Sequence, residues 1–134
     1  MKLQQATRCA LFAVLDLAQT PGHHRSAQEI AVQYGFSVNH LLKVLKTLVQ
    51  AGLLESVRGA GGGYRFIGNP KRVTLLDIIR RFESVEVVGS NGANDGSTAL
   101  GTTLQKVLLE IDATAVATLS SITISTFLKL SQRT

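Results

Sequence analysis

The segment from 38 to 51 constrains this chain more than any other. At about 100° per residue, Val38, Leu41, Leu42, Leu45, Leu48 and Val49 fall on one arc of a helix. Asn39, His40, Lys43, Lys46, Thr47 and Gln50 fall on the opposite arc. A helix divided in this way needs a core against one face. Its other face carries amides, a hydroxyl, an imidazole and two ammonium groups. Ser37 precedes it as a side-chain cap and Gly52 follows it as a stop.

The flanking residues say what holds that helix. Ala6, Ala10, Ala13, Val14 and Leu17 recur at helical spacing, and Thr20-Pro21-Gly22 ends the run. Ser26 and Glu29 have the spacing of a capping box, opening a short helix that buries Ala27, Ile30, Ala31 and Tyr34. Gly35 supplies the turn before Ser37. Beyond Gly52, residues 53–57 and 64–67 are β-prone and flank Arg58-Gly59-Ala60-Gly61-Gly62-Gly63, which predicts a hairpin with a basic, glycine-rich tip. Thr74 opens a further helix with Leu75, Ile78, Ile79 and Phe82 on one side. Residues 89–101 read as loop. Leu104, Val107, Leu108, Ile111, Ala115 and Leu119 then outline a longer helix, and Thr123 caps a last short one containing Phe127 and Leu128.

The predicted fold is mainly α with a small β-hairpin: a winged helix-turn-helix domain plus a long C-terminal helix. The divisions are 1–84 for the winged helix-turn-helix domain, 85–101 for a flexible loop, and 102–134 for the long helix and final short helix.

Charge follows the same division. Residues 1–81 carry eleven Lys and Arg against four Asp and Glu, whereas residues 82–134 carry three against five. A basic N-terminal body suits a polyanion. No apolar run is long enough for a membrane span, and the start of the chain lacks a signal-peptide pattern, so a cytoplasmic protein without membrane contact is expected. A single cysteine, Cys9, excludes an internal disulfide and fits a reducing compartment.

A major groove admits one helix, held from behind by its apolar face. Ser37, Asn39, His40, Lys43, Lys46 and Thr47 are therefore the candidate contacts of a recognition helix to double-stranded DNA. Arg58, Gly59, Gly61, Gly62 and Arg65 are those of the wing, where glycine lets backbone amides approach phosphate and arginine supplies forked donors. Asn39 suits adenine and Lys43 guanine. The opposing reading makes the polar arc a solvated helix face. The order of Gly35, helix and basic hairpin favours DNA. A phosphate-binding nucleotide loop is disfavoured, because the glycines join two strands and no Gly-Lys-Ser/Thr follows.

These motifs resemble a known family. Ser37 to Val44, Ala51-Gly52-Leu53, Val57-Arg58-Gly59, Gly61 to Arg65 and Thr74 to Ile79, in this order, are similar to the Rrf-two family of bacterial regulators. IscR, NsrR and CymR belong to it. The Asn39-His40-x-x-Lys43 portion is most similar to the NsrR-like branch. The resemblance implies a homodimer, with the C-terminal helix (about 101–118) as its dimerisation helix across the two-fold axis, acting on a near-palindromic operator; repressor is the expected role, with activator the open alternative. Many members hold an iron–sulfur cluster through three cysteines in the loop before that helix. Here residues 89–103 contain none, Ser90, Ser97 and Thr103 being poor substitutes, and Arg8 stands where the NsrR-like pattern has a carboxylate. The expectation is a regulator with no cofactor and no metal.

Cys9 is then the one candidate redox sensor, with Arg8 beside it to favour thiolate; a small buried helix residue is the rival reading. His23 and His24 read as solvated turn residues, and Glu29 and Asp77 as helix-cap acids. No nucleophile–base pair or metal constellation points to an enzyme. The alternative function is a winged-helix protein-interaction module, or a regulator controlled by a protein partner.

Overall fold

A computed structural model describes residues 2–83 and 98–133. Three helices come first: α1 (Gln5–Ala18), α2 (Ala27–Tyr34) and α3 (Val38–Gln50). Strands β1 (Leu54–Val57) and β2 (Gly63–Phe66) follow, then α4 (Leu75–Ile79), α5 (Ala99–Ser121) and α6 (Ile124–Ser131). The strands pair antiparallel, with Leu54 opposite Phe66 and Val57 opposite Gly63. This is the winged helix-turn-helix with a long C-terminal helix that the sequence predicts.

Local chemistry sets the boundaries. Ser26 accepts from the Glu29 amide while the Glu29 carboxylate accepts from the Ser26 amide, closing the expected capping box. Gly35 takes φ 75°, a left-handed turn that lets Ser37 cap α3 through the His40 amide. Thr74 and Asp77 close a second capping box at α4, and Thr123 caps α6. The predicted loop is shorter at its end than expected: Thr98 caps α5, so residues 99–101 are already helical. The rest of that loop, 85–97 with Ser90 and Ser97, lies outside the described residues.

The core is built by one face of each body helix: Ala10, Ala13, Val14 and Leu17 of α1, Ile30 of α2, Leu41, Leu45 and Leu48 of α3, Leu54 of β1, and Ile78 of α4. Ile124 closes it from the C-terminal side, because the chain returns after α5. The Leu75 amide donates to the Ile122 carbonyl and the Ile124 amide to the Val73 carbonyl, each at 2.9 Å.

Helix α5 is different. None of its residues is buried. Leu100, Leu104, Val107, Ile111, Thr114 and Thr118 succeed one another in alternating steps of four and three, the spacing of a coiled-coil seam. All six are exposed. The Thr114 and Thr118 hydroxyls bond carbonyls one turn back, leaving their methyl groups as the free part of each side chain.

Candidate nucleic-acid interface

The buried side of α3 is rotated relative to the expected arc. Val44 is buried along with Leu41, Leu45 and Leu48, whereas Leu42 is 41% exposed. Helices α1 and α2 both pack on α3, and the side left covered takes in Val44 while the apolar edge at Leu42 turns outward. An exposed leucine then borders the polar face, a position suited to the methyl group of thymine. Sequence periodicity alone assigned Leu42 to the core.

Of the predicted helix contacts, Asn39, Lys43 and Lys46 are exposed on one arc, with Ser37 exposed at its start. The other two are less free. Thr47 is half-buried and its hydroxyl donates to the Lys43 carbonyl. His40 is half-buried, and its Nε2 is shielded without a hydrogen-bond partner among the described residues.

The wing divides similarly. Arg58, Gly59 and Gly61 are exposed. Arg65 is not a free phosphate donor, since its guanidinium pairs with Glu55 directly across the hairpin, Nε standing 2.6 Å from the carboxylate. This cross-strand pair stiffens the wing instead.

What aims the wing was not visible in the sequence. Arg25 pairs by backbone with Tyr64 of β2: its amide donates to the Tyr64 carbonyl at 3.0 Å and its carbonyl accepts from the Tyr64 amide at 2.8 Å. Its guanidinium in turn donates to both oxygens of the buried Asp16 of α1, at 2.8 and 2.7 Å. The Tyr34 hydroxyl also donates to Asp16. Burial, then the neighbouring Asp16, pushes the Tyr34 hydroxyl up to about 12. Any side chain on Gly63 would collide with the Arg25 carbonyl, which is why this strand end requires glycine. His24, expected to be merely solvated, reaches the Gly61 carbonyl at the wing tip, 2.5 Å from Nε2. A loop between α1 and α2 thus holds the wing along the first half of β2 and at its tip. Phe12 of α1 stacks near Tyr34 and Phe36, tying the same region to the start of α3.

With this geometry in place, similarity decides the family. A profile described as Rrf2, iron-dependent transcriptional regulator, matches residues 3–129. The chain belongs to the Rrf2 family. It is 52% identical over 130 residues to a protein of Rhodopseudomonas palustris named for the HTH-type transcriptional regulator BadM, covering 97% of this chain and 83% of that one. Over 84 residues it is 37% identical to the HTH-type transcriptional regulator NsrR of Bacillus subtilis, 62% of this chain and 58% of NsrR. Its structure is similar to that of CymR, the global cysteine regulator of B. subtilis, with a TM-score of 0.78 and 27% identity over 97% of this chain and 98% of CymR. This chain is accordingly a DNA-binding transcriptional regulator of the winged-helix type. The described residues hold no helix long and apolar enough to cross a membrane.

The cluster implied by the resemblance does not fit the residues present. Iron–sulfur clusters want several thiolates, and the whole sequence supplies one thiol. That thiol, Cys9, lies in the core with no exposed surface. Burial pushes its thiol up to about 11, which favours the reading of a buried helix residue over activation by Arg8. Among the described residues no group of three or more His, Cys, Asp or Glu is placed to hold a metal ion.

Proposed function

We propose that the chain acts as a homodimeric repressor on a near-palindromic operator, in the cytoplasm, with neither an iron–sulfur cluster nor enzymatic activity of its own. Residues Asn39, Lys43, Lys46 and Leu42 read the major groove, Ser37 and His40 lie at the helix entrance, and Arg58 with the amides of Gly59 and Gly61 grips the backbone beside the wing; the predicted contact Gly62 instead closes the wing turn, its amide donating to the Gly59 carbonyl at 2.9 Å. Arg65 and Thr47 act by holding the two elements in shape. The observation that carries this reading is the single open polar arc on α3, backed by a core and flanked by a braced wing.

The homodimer is supported by the seam on α5. Leu100, Leu104, Val107 and Ile111 are exposed apolar residues on one line, and a second copy of the same helix offers the matching line. Two-fold pairing presents two α3 helices, hence the two-fold operator. Occupancy of such a site excludes other proteins from it, which is repression in its simplest physical form. The same exposed seam favours a second reading, a partner-controlled regulator in which α5 receives another protein.

Selection of bound duplexes from a random DNA pool, followed by affinity against salt, tests the proposal. A recovered palindrome whose preference survives rising salt supports it. Uniform binding that salt erases would overturn the sequence-specific reading. A monomer by sedimentation at the concentrations that bind DNA would overturn the dimer.

A further inference from the structure

Away from the DNA-facing arc, a cleft of about 440 Å³ opens beside α4, lined by Leu53, Val73, Asp77, Arg80 and Arg81. Its chemistry is two-sided. Leu53 and Val73 contribute its apolar lining, and Arg80 and Arg81 contribute two cationic residues. Both arginines are exposed, and neither makes an ion pair or a side-chain hydrogen bond among the described residues. The one acid in the cleft, Asp77, is engaged with its own helix start, Oδ2 accepting from the Thr74 amide at 2.9 Å. Among the described residues, two cations and one carboxylate line the cleft, which leaves it a net positive charge. Cations are favourable at the C-terminal end of a helix such as α4, which explains why arginine is tolerated there. It does not explain why two of them border an apolar-walled cavity.

The position of the apolar wall matters as well. Leu53 lies in the joint between the recognition helix and the wing. Its amide donates to the Leu48 carbonyl of α3 at 3.1 Å, and its carbonyl accepts from the Ile67 amide just beyond β2 at 3.0 Å. A molecule resting on Leu53 touches the segment that joins α3 directly to the wing.

We propose that this cleft binds a small organic anion with a compact apolar body. Arg80 and Arg81 take its charged group through forked donors, and Leu53 and Val73 cover its body. Binding displaces the joint at Leu53 and so alters DNA affinity. That last effect rests on the DNA-binding reading above; binding of the anion by the free protein does not.

The experiment follows the methyl resonances of Leu53 and Val73 in the full-length protein, free of DNA, during titration with hexanoate. Hexanol and inorganic phosphate serve as probes of the apolar body alone and the charge alone. Saturable millimolar binding of hexanoate is expected, with at least about tenfold weaker binding of either control. R80Q/R81Q should abolish it while leaving the core methyl spectrum unchanged, and D77N should tighten it a few-fold by removing the opposing charge. Equal shifts from hexanol, retained binding in R80Q/R81Q, or no saturable shift would each overturn the site. In a separate arm, saturating hexanoate should change affinity for a selected duplex by about fivefold in the parent and not in R80Q/R81Q. An equal change in both would be ionic screening and would overturn the regulatory effect while leaving the site standing.

Discussion

The helix-turn-helix body and helix α5 solve the problem of apolar surface in opposite ways. In the body, each helix turns one face inward, and Leu17, Ile30, Leu41, Leu45, Leu48 and Ile78 have almost no exposed surface. In α5, 23 residues long, nothing is buried, and Leu100 is 85% exposed. The body satisfies its apolar pattern within one chain. On α5 the described residues leave the seam from Leu100 to Ile111 exposed, while Leu119 near its end packs against the core. Stability should therefore reside in the body, and assembly in α5.

Substitutions in the two regions should separate these properties. Leu45→Ala removes a fully buried side chain and should destabilise by about 2–5 kcal/mol in urea unfolding, with the oligomeric state of the remaining folded protein unchanged. The same core should protect Cys9. Its alkylation at neutral pH should be at least about a hundredfold slower in the folded protein than in urea, because reaction waits for opening. Keeping that thiol protonated contributes stability that is fully present below its ordinary value of 9.0 and is lost as pH rises toward about 11, so denaturation should become easier above pH 9.

Ile111→Glu puts a charge into the α5 seam. It should weaken self-association and operator affinity by about 2–3 kcal/mol in sedimentation and binding titrations, with little change in unfolding of the body. An unfolding loss as large as that of Leu45→Ala would break the division between the regions. Within the body, Lys43→Ala should weaken operator binding by about 1–3 kcal/mol and relax preference at one base position; a uniform loss on all sequences would assign Lys43 to phosphate. Leu42→Ala should have the smallest effect, about 1 kcal/mol, confined to operators with thymine at the contacted position.

Much of the body could be read from local patterns because local chemistry makes them. The capping boxes at Ser26 and Thr74, the caps at Ser37 and Thr123, and the turn at Gly35 depend on residues three or four apart, so sequence spacing is enough to find them. The polar arc of Asn39, Lys43 and Lys46 was legible for the same reason. Leu42 was misassigned because helical periodicity gives the width of a face and not the direction from which neighbours press on it. Cys9 shows the same limit from the side of charge: Arg8 is adjacent in sequence, yet burial decides the thiol.

By itself, then, the sequence determined where helices begin and end, which of them is two-sided, and that one thiol cannot supply a cluster, since these are matters of residue identity and short spacing. Only the tertiary structure decided which residues are free to act. Arg65 is taken up by Glu55, Arg25 is held by Asp16 while its backbone joins β2, and His24 reaches Gly61, contacts that cross 10, 9, 39 and 37 positions of chain. No local propensity encodes such pairs. They form because the packing of α1, α2 and the wing around one core brings distant groups within hydrogen-bond reach, and at the buried Asp16 water can no longer compete for them.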